Sequence, residues 1–94
     1  MYLLCRNRVK DADRWKAVFS SHAQAHRDAG LLLRGFWRGR DDENDLFYLF
    51  EVESLDRANA FMDDPDAAKA AQESGVIDGE YQFLEADAVY EMER

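Results

Sequence analysis

His22 and His26 are the only histidines in the chain, and they stand four residues apart. On a helix that spacing projects both imidazoles from one side. Such a pair can begin a metal site, but zinc ordinarily takes a third protein ligand. The intervening residues are Ala23, Gln24 and Ala25, which give no HExxH pattern, so no metal is expected. His22 also extends an apolar stripe that starts at Trp15, and should therefore point inward. There it has two open roles. A neutral imidazole in a crevice can act as a general acid or base toward a ligand, or it can close a core edge by bonding a backbone carbonyl. His26 is expected at the rim, where a helix C-terminus favours a cation.

Trp15, Phe19, Trp37, Tyr48 and Phe50 are spaced to build a core first of all. Each would contribute roughly 1.5–3 kcal/mol by burial. With His26 they are also the candidates for lining a cavity that takes a planar apolar ligand, His22 being the convergent polar group. Cys5 falls in a strand-like run and reads as inert packing. No nucleophile elbow, P-loop or GxGxxG occurs.

The elements that must position these residues follow from periodicity. Tyr2–Val9 reads as a strand. Asp11 or Asp13 can cap a helix whose large residues recur at Trp15, Val18, Phe19, His22, His26 and Ala29, with Gly30 as its stop. Leu31–Arg40 is extended, with Leu31, Leu33 and Trp37 on one side and Phe36 on the other. The polar run Asp41–Asp45 turns into a second arm, Leu46–Glu53. Ser54 caps a helix that Asp64-Pro65 breaks and restarts, and Gly75 ends it. Tyr81–Tyr90 alternates again and is expected as the last strand. The order β-α-β-β-α-β predicts an α+β, ferredoxin-like antiparallel sheet with the first and third strands central and the helices on one face.

In Leu46-Phe47-Tyr48-Leu49-Phe50 both parities are apolar. Leu46, Tyr48 and Phe50 can face the helices, which leaves Phe47 and Leu49 on the bare side, where an apolar patch calls for cover. A two-fold dimer joining the open faces is the expected remedy. Glu51 shares the parity of Phe47 and Leu49, so an ion pair with an arginine of the first strand, Arg6 by preference, is expected in that interface.

Ninety-four residues make one domain, spanning 1–94. The net charge is −8, which speaks against nucleic acid or an anionic membrane as partner. Up to Arg40 there are nine basic and three acidic residues, and beyond it three basic and seventeen acidic. That polarity can help set the register of self-association. With no apolar run of spanning length, no visible signal peptide and a single cysteine, a cytoplasmic location is expected.

Several of these residues carry a resemblance that covers essentially the whole chain. They are Asp13-Arg14-Trp15-Lys16-Ala17-Val18-Phe19 followed by His22, Gly35-Phe36-Trp37-Arg38, the Asp-rich turn before Leu46, Phe50-Glu51-Val52, and Ala58/Ala60-Phe61 before Asp64-Pro65. The pattern resembles the dimeric α/β-barrel superfamily of ferredoxin-like proteins, in particular small members grouped with antibiotic-biosynthesis monooxygenases, polyketide cyclases and stress-responsive barrel proteins. Haem-degrading members place an asparagine on the first strand, as Asn7 stands here, and a haem-ligating histidine on the second helix. Ser54–Ser74 has no histidine, so no haem and no other cofactor is expected. The resemblance implies a homodimer that binds or transforms a small aromatic or polyketide-like compound, monooxygenase- or cyclase-like. The alternative is a non-catalytic, stress-related or interaction module whose role is the dimer itself.

Overall fold

The computed structural model describes residues 1–87. The elements in chain order are β1 (Tyr2–Val9), α1 (Ala12–Ser21), α2 (Ala23–Asp28), β2 (Leu31–Arg38), β3 (Asp45–Val52), α3 (Leu55–Asp63), α4 (Pro65–Ser74) and β4 (Val76–Leu84). The four strands form one antiparallel sheet in the order β2-β3-β1-β4, with the helices on one face. This is the expected α+β ferredoxin-like arrangement, with the first and third strands central. Among the described residues no helix is long and apolar enough to cross a membrane.

Local chemistry accounts for the element ends. The Asp11 carboxylate accepts from the Asp13 and Arg14 amides at 3.0 and 3.2 Å and caps α1. Asn44 in the β2–β3 turn ties the helix start to the sheet: its carboxamide oxygen accepts from the Ala12 amide at 3.1 Å and its backbone carbonyl from the Val9 amide at 2.9 Å. Ser54 caps α3 and Asp64 caps α4, with Pro65 just inside. Gly30 and Gly75 take φ of 72° and 80°, the left-handed region that glycine enters without a Cβ clash.

The core lies between the sheet and the helices. Leu3, Cys5, Asn7 and Val9 of β1 alternate inward, as do Leu46, Tyr48, Phe50 and Val52 of β3, all 7% exposed or less. Trp15 of α1 and Ala58 of α3 cover them.

Three expectations need correction. The long first helix is broken at His22 into α1 and α2. The Val18 carbonyl, which the His22 amide would take in an unbroken helix, is held instead by the Ser21 hydroxyl at 2.6 Å and by His22 Nδ1 at 2.9 Å. The His22 amide turns to the Phe19 carbonyl. Secondly, β2 does not alternate throughout. Its register slips between Leu33 and Gly35, leaving Arg34 as an extra, bulged residue. Leu33 pairs with Phe50, but beyond the bulge Phe36 pairs with Tyr48 and Trp37 with Phe47. Phe36 therefore joins the helix side and Trp37 the bare side. Thirdly, the last strand is Val76–Leu84, beginning five residues before the expected start. Val76–Glu80 is largely exposed and shows no apolar–polar alternation, and its place in the sheet is secured by pairing with β1, including Arg8 with Asp78. Ala88 and Tyr90, the far end of the expected strand, lie outside the described residues.

Candidate functional site

Between the sheet and helices α1, α2 and α4 lies a cavity of about 620 Å³. Its apolar wall includes Trp15, Phe19, Phe50, Phe61 and Met62. The rings interlock. Trp15 stacks on Phe19 at 4.7 Å between centroids and 18° between planes, and Phe19 meets Tyr48 edge-on at 5.2 Å. Such pairs hold a rigid, flat-sided wall beyond what area burial alone provides.

The polar groups come from the sheet side. Asn7 is 2% exposed. Its amide nitrogen donates to the Tyr48 hydroxyl at 3.2 Å and to the Tyr81 hydroxyl at 3.4 Å, while Tyr81 donates to its carboxamide oxygen at 3.5 Å. Three strands thus bring one amide and two phenols together, since Cys5 pairs with both Tyr48 and Tyr81 in register and Asn7 is the next inward residue of β1. Burial is the first cause that pushes both tyrosine hydroxyls above the ordinary phenol range, so both stay protonated. Burial also pushes the Cys5 thiol up to about 12, which makes it a poor nucleophile.

Both histidines line the cavity, in different ways. A carbonyl 2.9 Å from His22 Nδ1 requires that nitrogen to carry the proton, which leaves Nε2 as the acceptor in the neutral ring. His22 is half-buried at the helix break. His26, expected at the rim, is instead packed among Phe19, Phe50 and Phe61 at 4.8, 5.3 and 5.4 Å. Desolvation first, then the charges of His22 and Arg27, lowers its pKa to about 4, so it is neutral at pH 7.

Of the residues expected around a pocket, Trp15, Phe19, His22, His26, Tyr48 and Phe50 are brought together. Trp37 is not. The bulge at Arg34 turns it to the bare side, where it is 53% exposed and its ring covers Gly35. Tyr81 was not expected at the site, and Asn7 was singled out only as the counterpart of the first-strand asparagine of haem-degrading proteins. Asn7 was legible as the one polar residue on the otherwise apolar inward parity of β1. Tyr81 was hidden by the misplaced start of β4.

Arg6, Phe47, Leu49 and Glu51 stand on the bare sheet face, opposite the helices. The expected Arg6–Glu51 pair is not formed. Register sets Tyr2, not Arg6, opposite Glu51. Arg6 makes a two-pronged bond to Asp45 at 2.8 and 2.9 Å and lies over the Phe47 ring at 5.4 Å, while Glu51 meets Arg34 at 3.5 Å. Among the described residues no cluster of three or more His, Cys, Asp or Glu side chains could hold a metal ion.

No family model matches the chain, and no curated protein sequence does. Solved structures do. A variant of SnoaB, described as a cofactor-independent oxygenase from Streptomyces nogalater, superposes with a TM-score of 0.71 at 17% identity, over 90% of each chain. An antibiotic biosynthesis monooxygenase matches at 0.69 and 11% identity, over 92% of this chain and 97% of that one. An uncharacterized NIPSNAP domain protein from Burkholderia xenovorans matches at 0.65 and 15%, over 94% and 96%. What is shared with them is the ferredoxin-like fold.

Proposed function

We propose that the chain binds a planar aromatic compound in the cavity between sheet and helices and oxidises it with dioxygen, without metal or haem. The observation that carries this reading is the cavity itself: stacked aromatic walls, a hydrogen-bonded Asn7–Tyr48–Tyr81 cluster on the sheet side, and, in the same lining, a His22 imidazole whose Nε2 is the acceptor nitrogen. Neighbours in fold named as monooxygenases and as a cofactor-independent oxygenase support the reaction type.

The chemistry suits these groups. An acidic ring CH2, flanked by a carbonyl or phenol, loses a proton to His22 Nε2. The carbanion reduces dioxygen, a carbon–oxygen bond forms, and loss of the second proton leaves a ring carbonyl while the other oxygen atom departs as water. The Tyr48 hydroxyl, which accepts from Asn7 and does not give it its own proton, is the donor assigned to the substrate oxygen as negative charge grows on it. His26 shapes the wall and, being neutral and weakly basic, is not the base.

An oxygen electrode with 1,8-dihydroxyanthrone tests the reading. The expected result is one dioxygen consumed per quinone formed, slowed at least about 100-fold in His22→Ala, the scale of a lost general base. Absence of both turnover and a thermal shift across anthrones, quinols and flavins overturns it.

A homodimer through the bare face belongs to the same proposal. Leu4 and Trp37 are 37% and 53% exposed there, beside half-buried Phe47 and Leu49. Arg6, Arg8 and Arg34 are each paired with Asp45, Asp78 and Glu51 on that face, so its charges are already balanced within the protomer and oppose no second copy. Sedimentation at micromolar concentration is expected to report a pair, and a lone protomer would overturn this part. The same reading sets the chain in the cytoplasm, where Cys5 stays a free buried thiol.

A further inference from the structure

We infer that the cavity selects uncharged ligands and rejects aromatic anions, and that the outer turns of α4 contribute to that choice. This rests on the cavity reading above and goes further, because it concerns the ligand's charge. The charged side chains that line the cavity are Asp64, Asp66 and Glu73 against Lys69, all on or beside α4 and all exposed. An anion entering past them meets a net negative edge. Beyond them it finds buried Asn7, Tyr48 and Cys5, with Tyr81 beside them, which can hydrogen-bond but carry no charge. The cations of β1 cannot help: Arg6 and Arg8 belong to the bare face of the sheet and are engaged by Asp45 and Asp78. Where the His22 and His26 imidazoles of the lining are uncharged, a carboxylate taken inside would lose its water shell with no buried cation to compensate, the costliest way to bury a polar group. A carbonyl, amide or phenol needs only the donors already present.

A matched pair of probes isolates charge from shape. 2-Naphthamide and 2-naphthoate have the same ring and nearly the same outline, and only the second is ionised at pH 8, where imidazoles are neutral. Quenching of Trp15 emission reports occupancy in a Trp37→Phe background, since Trp37 lies on the other face. The expected result is that the amide binds at least about tenfold more tightly than the carboxylate. Asp66→Asn with Glu73→Gln removes two exposed charges, and is expected to improve naphthoate about threefold at low salt with naphthamide unchanged. Equal affinities, or tighter naphthoate, overturn the inference while leaving the cavity reading intact. A ratio unmoved by the double variant overturns the part given to α4. Binding of neither probe removes the cavity reading, and this inference with it.

Discussion

The Asn7 amide nitrogen and the Tyr48 hydroxyl, from adjacent central strands, meet at 3.2 Å inside the protein. One bond thus joins the two middle strands through their side chains as well as their backbones, between two buried lining residues of the cavity. Asn7→Ala strips a donor from the buried Tyr48 phenol and from Tyr81. The expected cost is about 2 kcal/mol, against about 1 kcal/mol for Tyr48→Phe, with the double variant less than additive. Urea denaturation of the three variants checks both magnitudes.

His26 predicts an acid-sensitive stability. Its folded pKa of about 4 lies below the ordinary 6.5, so the unfolded chain binds its proton first. No cost arises above about pH 6.5. Stability then falls as pH drops from 6.5 toward 4 and levels off below. For a half-buried ring the loss is on the order of 2 kcal/mol. Denaturant midpoints for wild type and His26→Phe should diverge over that window and run parallel above it.

Gly35 and Trp37 predict separable effects on fold and assembly. A methyl group added at Gly35 would stand 2.2 Å from the Trp37 ring, which must swing away. The ring is the exposed end of a side chain, so Gly35→Ala should alter protomer stability by less than about 1 kcal/mol. Trp37 emission should shift, and the proposed dimer should weaken by about tenfold. Fluorescence and sedimentation equilibrium on the same sample read the two effects.

Cys5 should be silent in the native protein. With its thiol at about 12 and its side chain buried, a disulfide-exchange reagent at about pH 8 is expected to leave it unmodified over hours and to label it completely in urea. Rapid labelling of the folded protein would contradict the packing described around Tyr48.

Much of the fold was legible because its signals are local. Asp11, Ser54, Asp64-Pro65 and Gly75 mark helix ends by their own chemistry, and the doubly apolar run Leu46–Phe50 marks a central strand. What escaped depends on partners. His22 looks like one more residue of a helical stripe until the Ser21 hydroxyl and its own ring compete for the Val18 carbonyl. Asp78 and Glu80 look like loop residues until β1 sets Arg8 and Arg6 opposite them. The cavity residues on helices and on β3 follow from periodicity, whereas Trp37 was assigned to the wrong side because a glycine at 35 signals a bulge or bend in the strand without fixing which residue is the extra one.

That irregularity at Arg34 makes the edge strand a two-sided component. Upstream of it, Leu31 and Leu33 serve one surface; downstream, Phe36 serves that same surface and the indole serves the other. Chain length is therefore not equally constrained along β2. Losing Arg34 itself would simply regularise the ladder, because every later pairing is already in phase with β3. Losing Phe36 with the bulge kept would instead set the indole opposite Tyr48, toward the ligand space, and Arg38 opposite Phe47, where a second copy is proposed to dock. Natural length variation in this strand should accordingly concentrate at Arg34.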